Sequence, residues 1–220
     1  MKTALVIGAS GGIGAAVADH LESDGVRVTR LSRSADGFDA TDPASVEKHL
    51  DGLGPFDLVF VAIGILAPEG EAPEKQLPAI TADNMARTFA VNALGPALVL
   101  RHASKLLDRR SDGVLAVLSA RVGSIGDNQI GGWYSYRASK AALNQIVHGA
   151  AIELGRSHKQ ATIVTLHPGT VETPFTEGYA DRHKTVTAPE AAKNLINVVR
   201  SLTPEQSGQF FDYAGESIPW

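Results

Sequence analysis

Five short apolar runs stand out along the chain: ALVIG at 4–8, VRVTRL at 26–31, DLVFVAIG at 57–64, GVLAVLS at 113–119 and ATIVTLHPG at 161–169. Each is rich in aliphatic or β-branched residues and bounded by Gly, Asp or Pro. That is the pattern of strands buried on both faces of a parallel sheet. A weaker strand is predicted near 209–212. Between the runs the apolar period lengthens. Ile13, Val17 and Leu21 recur every fourth residue and Gly25 follows as a C-cap. Asp42-Pro43 opens a second helix, with Asp as N-cap and Pro at the first helical position. Further helices are predicted over 81–108, over 134–156, and from Ala188-Pro189 to about Ser201.

Strand and helix alternate throughout. The expected fold is a doubly wound, Rossmann-type α/β parallel sheet with helices on both faces. No internal repeat or long linker divides the chain, so residues 1–220 read as a single domain. Segments 65–80 and 172–187 are rich in Pro, Gly or charge, and both follow strands. They are expected at the carboxyl edge of the sheet, where such folds bind ligands, with 172–187 serving as a substrate lid.

Composition narrows the chemistry. The chain has 220 residues, 44% hydrophobic and 20% charged, and no cysteine. Disulfides, thiolate nucleophiles and cysteine-based zinc sites are excluded, and a reducing compartment, the cytoplasm, is expected. The seven histidines show no H-x-x-x-H spacing, so no metal site is expected. A net charge of −4 gives no general attraction for nucleic acid or anionic membranes. No apolar run approaches the ~20 residues that span a bilayer. The N-terminal MKTALVIGASGGIG reads as a first strand rather than a signal peptide.

That first strand runs into Gly8, Gly12 and Gly14, spaced G-x-x-x-G-x-G ahead of a helix. Glycines there let the chain turn sharply and let a pyrophosphate approach the helix N-terminus, whose free N–H groups favour negative charge. Gly8, Ser10, Gly12, Ile13 and Gly14 are the candidate contacts. No Lys-Ser/Thr pair follows, which excludes a P-loop. An NAD site usually carries an acid at the end of the second strand. Here the sequence is Arg30-Leu31-Ser32-Arg33-Ser34, without a carboxylate. Arg33, helped by Ser32 or Ser34, suits a 2′-phosphate, so NADP(H) is expected over NAD(H).

Four separated motifs occur in order: the glycine loop, Asn92 in VNALGP, Tyr136-x-x-x-Lys140, and PGTVET at 168–173. On these the chain resembles the short-chain dehydrogenase/reductase family over nearly its whole length. Within it, SARVGSIGDNQIGGWYSYRASKAALN and the closing SGQFFDYAGESIPW are similar to the C-factor and sniffer type of small carbonyl reductases. The resemblance implies hydride transfer between nicotinamide and a carbonyl or alcohol, with Tyr136 as the acid. A free phenol has a pKa of ~10, too high for efficient exchange at neutral pH. Lys140 lies one helical turn on, and its charge would favour the phenolate. Four residues after Tyr134 comes Ala138, so Tyr134 lacks that partner.

The resemblance also implies that Lys140 holds the nicotinamide ribose and that Asn92 positions a water beside it. Ser139 would be a small residue fitted against the cofactor. Gly64, Pro168, Gly169, Val171 and Thr173 would line the nicotinamide side, and Asp39 the adenine side. Trp133, Phe175 and Tyr179 would wall the substrate pocket. Three departures from the family pattern stand out. The usual Ser-Ser pair reads Ser119-Ala120, leaving Ser119 as the candidate catalytic serine and Ser124 as the fallback. The loop usually written Asn-Asn-Ala-Gly is Val61-Ala62-Ile63-Gly64, and Ile7 replaces a threonine. A homodimer or homotetramer is implied. The competing reading is a catalytically weak NADP-binding regulatory or signalling protein on the same fold.

Overall fold

The computed structural model describes residues 1–172 and 185–220. Six strands form one parallel sheet in the order β2-β1-β3-β4-β5-β6. They are β1 (Thr3–Ile7), β2 (Arg27–Leu31), β3 (Leu58–Val61), β4 (Val114–Leu118), β5 (Thr162–His167) and β6 (Phe210–Asp212). All five apolar runs and the weak sixth segment are strands.

Side chains alternate across a strand, so each strand feeds two cores. Leu5, Ile7, Val59, Val61, Leu115, Val117 and Ile163 face one side. There they meet α3 (Pro43–Leu50), α5 (Gly95–Leu100), α6 (Ala103–Leu106) and α7 (Tyr134–Leu154). Ala4, Val6, Leu58, Phe60, Ala116, Leu118, Val164 and Leu166 face the other, against α1 (Gly12–Ser23) and α8 (Ala188–Ser201). A four-residue turn of helix, α2 (Arg33–Asp36), follows β2 directly. The cap expected of Asp42 is formed: its carboxylate accepts from Ala44 N at 3.0 Å. Among the described residues no helix is long and apolar enough to cross a membrane.

The helix expected over 81–108 is not continuous. It is divided into α4 (Ala82–Phe89), one π turn (Ala90–Leu94), α5 and α6. Pro96 is the physical reason on the sequence side: it has no N–H for the carbonyl of Asn92, so regular i→i−4 bonding fails there. The N–H of Gly95 instead reaches back to Ala90 O. Asn92 sits inside that turn, a position of the kind that often marks functional sites.

Candidate active site

The strand order reverses between β1 and β3, and the glycine loop lies at that point. Gly8 ends β1 with φ of +88°. Its N–H and that of Ala9 donate to Leu31 O at 2.8 and 3.1 Å, while Ala62 N donates to Ile7 O at 2.7 Å. A Cβ on Gly8 would stand 2.4 Å from Ala62 O, and one on Gly14 would stand 2.2 Å from Gly8 O. Both neighbours are backbone atoms that cannot swing aside, so glycine is required at each. The folded loop presents the first turn of α1 to the crevice. Gly11 caps it without a side chain, and no acidic residue occupies that turn. Its orphan N–H groups and positive dipole end are therefore free for an anionic group, which fits a dinucleotide pyrophosphate. Ser10 and Gly12 are exposed there and Ile13 is half-buried.

The end of β2 is pinned to this loop through Leu31, which places Ser32 and Arg33 beside it. Arg30 is not available for a ligand. Its guanidinium bonds Asp19 at 2.6 Å and Glu22 at 2.7 Å on α1. Arg33 is exposed at the start of α2. Ser32 is buried and caps that turn: its Oγ accepts from Ala35 N at 3.2 Å and donates to Asp36 Oδ2 at 3.2 Å. Asp39 Oδ1 accepts from both Thr41 Oγ1 (2.7 Å) and Thr41 N (2.8 Å). Those bonds, aided by the Arg33 charge, hold its carboxyl below the usual aspartate range. Oδ2 takes no part in them.

Across the crevice, α7 carries Tyr136, Lys140 and Asn144 at four-residue spacing, all buried. Lys140 Nζ donates to Leu118 O at 3.0 Å. Asn92 is fully buried and clamps the backbone of Ile65 in both directions. Its Nδ2 donates to Ile65 O at 2.8 Å and its Oδ1 accepts from Ile65 N at 2.7 Å. The same Nδ2 donates to Ser139 Oγ at 3.0 Å, and that hydroxyl donates to Tyr136 O at 2.8 Å. Ser139 thus faces the interior and links Asn92 to α7. Gly64 survives the altered 61–64 loop for a steric reason: a Cβ there would lie 3.1 Å from Lys140 Nζ and 3.4 Å from Asn92 Oδ1.

Ser119 continues the alternation of β4. Its N–H still bonds Leu166 O at 2.8 Å, so its side chain follows Leu115 and Val117 towards α7. There its Oγ donates to Asn144 Oδ1 at 2.6 Å. Asn144 is eight residues beyond Tyr136, roughly 12 Å along the helix axis. The Ser119 hydroxyl is therefore held at the inner end of the polar row on α7, and buried Ala120 takes the next position. Ser124 is also buried, and its Oγ accepts from Asp127 N at 3.0 Å.

Burial dominates the protonation of the central pair. It pushes the Tyr136 phenol above its ordinary range and lowers the Lys140 ammonium to about 7. Desolvation of both groups outweighs the depression of the phenol expected from a charged Lys140. A testable linkage follows. Between about pH 7 and the ordinary lysine value of 10.5, the unfolded chain holds the proton and the folded protein does not. Raising the pH through that window therefore stabilises the fold, with a limiting slope of about 1.4 kcal/mol per pH unit for one proton. Denaturant titrations at several pH values should show this slope in the wild type and lose it in Lys140→Met. His167 has the same sign in a lower window, because burial brings its imidazole down to about 4 from 6.5.

Pro168 and Gly169 follow β5 and lead to Val171, which is buried. Val171 and Val186 form a parallel bridge. Glu172 N donates to Val186 O at 2.9 Å and Val186 N to Thr170 O at 3.0 Å, so the two ends of the expected lid segment are tied together. Thr173, Phe175 and Tyr179 lie outside the described residues. Trp133 stands just before α7, its ring edge-on to Tyr136 with centroids 6.1 Å apart. Among the described residues no three His, Asp or Glu side chains converge as a metal site requires.

Two site residues escape the motifs. Asn144 shares the inward face with Tyr136 and Lys140, and a polar residue at that period was the available signal. Glu74 lies in the 65–80 loop and gives no sequence signal at all, yet it is buried against the start of α7.

Known proteins resemble this chain over its whole length. The sequence model of a family described as enoyl-(acyl carrier protein) reductase matches residues 8–211. A 1-hydroxy-2-glutathionyl-2-methyl-3-butene dehydrogenase of Rhodococcus sp. (strain AD45) is 32% identical over 236 aligned positions that span the whole of both chains. The C-signal protein of Myxococcus xanthus is 43% identical over 140 residues, 62% of this chain and 79% of that one. A Burkholderia multivorans protein classed as a short-chain dehydrogenase/reductase, crystallised with NADP, superposes with a TM-score of 0.80 at 25% identity. That match covers 100% of this chain and 99% of that one.

Proposed function

Because the chain belongs to the short-chain dehydrogenase/reductase family of oxidoreductases, we propose that it is an NADP(H)-dependent carbonyl reductase with Tyr136 as its acid. The observation that carries this reading is the buried Tyr136–Lys140 pair on α7, with Lys140 Nζ close against Gly64 in the loop that follows β3. The loop from Gly8 to Gly14 would hold the pyrophosphate, Arg33 the 2′-phosphate and Asp39 the adenine side. Lys140 would hold the nicotinamide ribose, with Gly64, Pro168, Gly169, Val171 and Thr173 around the nicotinamide. When bound, NADPH supplies a hydride to the carbonyl carbon of the substrate.

Tyr136 delivers its proton to the carbonyl oxygen, so that the double bond becomes an alcohol. Burial keeps the phenol protonated until that moment. Lys140 then lies one turn away to offset the charge left on the phenolate. Asn92 fixes the loop behind Lys140. Ser119 supports the site through Asn144. Trp133, whose ring packs against that of Tyr136, would contribute to the substrate wall. A cysteine-free chain suits the reducing cytoplasm. Exposed Leu94 and Ile152 offer apolar positions for a homodimer or homotetramer, which sedimentation velocity tests directly.

The deciding experiment is NADPH oxidation against a panel of aldehydes, ketones and quinones. Turnover that disappears in Tyr136→Phe supports the reading, and turnover that survives it unchanged sinks it. A second reading, an NADP-binding regulatory protein with little turnover, is favoured by Ala120 and by the likeness to C-signal. Tight NADP binding without reduction of any carbonyl would select it.

Cofactor choice tests Arg33. Arg33→Ala should raise the dissociation constant for NADPH by about 10- to 100-fold, the size of one charge-assisted bond. NADH binding should stay within twofold. Equal losses for both cofactors would make Arg33 structural.

A further inference from the structure

We propose that Glu74 is a positioning residue for Tyr136, reaching from the 65–80 loop to cap α7 and to hold Trp133 against the Tyr136 ring. The inference rests on the reading of Tyr136 as the reaction's acid. It starts from an omission in the helix itself. Trp133, at the N-cap, makes no side-chain cap bond, and the first turn of α7 contains no acidic residue. The N–H groups that open a helix need acceptors from outside its own ladder.

Glu74 supplies acceptors to the helix start from outside, one of them to a first-turn N–H. Its Oε2 accepts from Ser135 N at 3.1 Å and its Oε1 accepts from the Ser135 hydroxyl. Its main-chain carbonyl accepts from Trp133 N. Glu74 is only 6% exposed, although Glu71, Ala72 and Lys75 around it face solvent. Burial works against its charge, but the bonds from the Ser135 hydroxyl and the backbone outweigh it, and the carboxyl stays below its ordinary range. An ionised carboxylate is the group that the positive end of a helix favours.

The same contact stabilises a strained residue. Trp133 has φ of +51°, the one non-glycine residue with positive φ among those described, and it follows Gly131 and Gly132 at +70° and +66°. Bulky side chains seldom adopt this conformation. In this structure the indole and the Tyr136 ring pack edge to face, with centroids 6.1 Å apart. Tyr136 is therefore gripped from two sides. Glu74 acts through Trp133 and Ser135, and Ser139 acts on the Tyr136 carbonyl from one turn below. Without Glu74 the first turn of α7, where helices fray most readily, loses its anchor.

The test is Glu74→Ala, beside Glu74→Gln and the exposed control Glu71→Ala. In Glu74→Ala, kcat for carbonyl reduction should fall 10- to 100-fold while the dissociation constant for NADPH stays within twofold. Amide exchange at residues 134–137 should rise at least tenfold, with α8 and the sheet unchanged. Glu74→Gln keeps an oxygen for Ser135 N and should recover most of both losses. Glu71→Ala should match the wild type. An unchanged kcat, or unchanged protection at 134–137, overturns the proposal. So does a loss of protection spread over the whole sheet with NADPH affinity falling in step, which marks general destabilisation. Wild-type protein that reduces no carbonyl would overturn the assignment of the reaction instead, and exchange at 134–137 would still decide the role of Glu74.

Discussion

Tyr136→Phe should lower kcat for carbonyl reduction by about 10³-fold and leave NADPH affinity within twofold. The substitution removes one oxygen from a buried ring and keeps the ring itself. The edge contact with Trp133 and the packing of the first turn of α7 persist. What disappears is the proton that the developing alkoxide needs. General acid catalysis by a positioned group contributes typically 10²–10⁴-fold, about 3–5 kcal/mol of barrier. The upper half of that range applies here because the phenol is buried beside Lys140, and bulk water is poorly placed to substitute. Stopped-flow measurement of a single turnover separates this step from product release. A tenfold loss or less would mean that another group supplies the proton, and Ser124 would be the first to examine.

The second large effect concerns the glycine loop. Gly14→Ala should weaken NADPH binding by at least tenfold and lower stability, although alanine is the better helix former. Its Cβ would meet Gly8 O at 2.2 Å and Gly8 C at 2.9 Å, with Ala62 Cβ at 3.2 Å. Helix propensity returns about 1 kcal/mol. Forced overpacking costs about 1–3 kcal/mol, and more where the obstacle is backbone. Relief requires moving Gly8 away from Leu31 and Ala62, which opens the crevice itself. Gly149→Ala is the matched control. That residue is exposed on α7, and an added Cβ would meet nothing within 4 Å. It should raise stability by up to about 1 kcal/mol without touching NADPH affinity. Thermal melts with and without NADPH read both effects. Gly14→Ala with unchanged affinity would remove the loop from the cofactor site.

Much of this was legible in the sequence because burial on both faces leaves a strong record. A strand such as Leu58–Val61 has no polar residue to confuse its assignment, and the glycine spacing has few structural uses. The 81–108 helix shows the limit. Apolar periodicity continues smoothly through Asn92, and only Pro96 signals that the bonding pattern must change. Ser119 shows another. Alternation correctly assigns its face, but not which polar group on that face it will meet. Glu74 lies beyond sequence reading altogether. Its partner Ser135 is 61 residues away, and one of three glutamates in a Pro- and Gly-rich loop looks like any solvated charge. Periodicity reports which way a side chain points, whereas a contact between two irregular segments leaves no period.

The Val171–Val186 bridge has a consequence for how the protein can be altered. The backbone on either side of residues 173–184 is paired at one fixed point. The entropy of closing a loop at such a point grows only logarithmically with length, so doubling the length costs about 0.6 kcal/mol. Variants lengthened between the same two valines should therefore melt within a degree or two of the wild type, because the pair that closes the loop is unchanged.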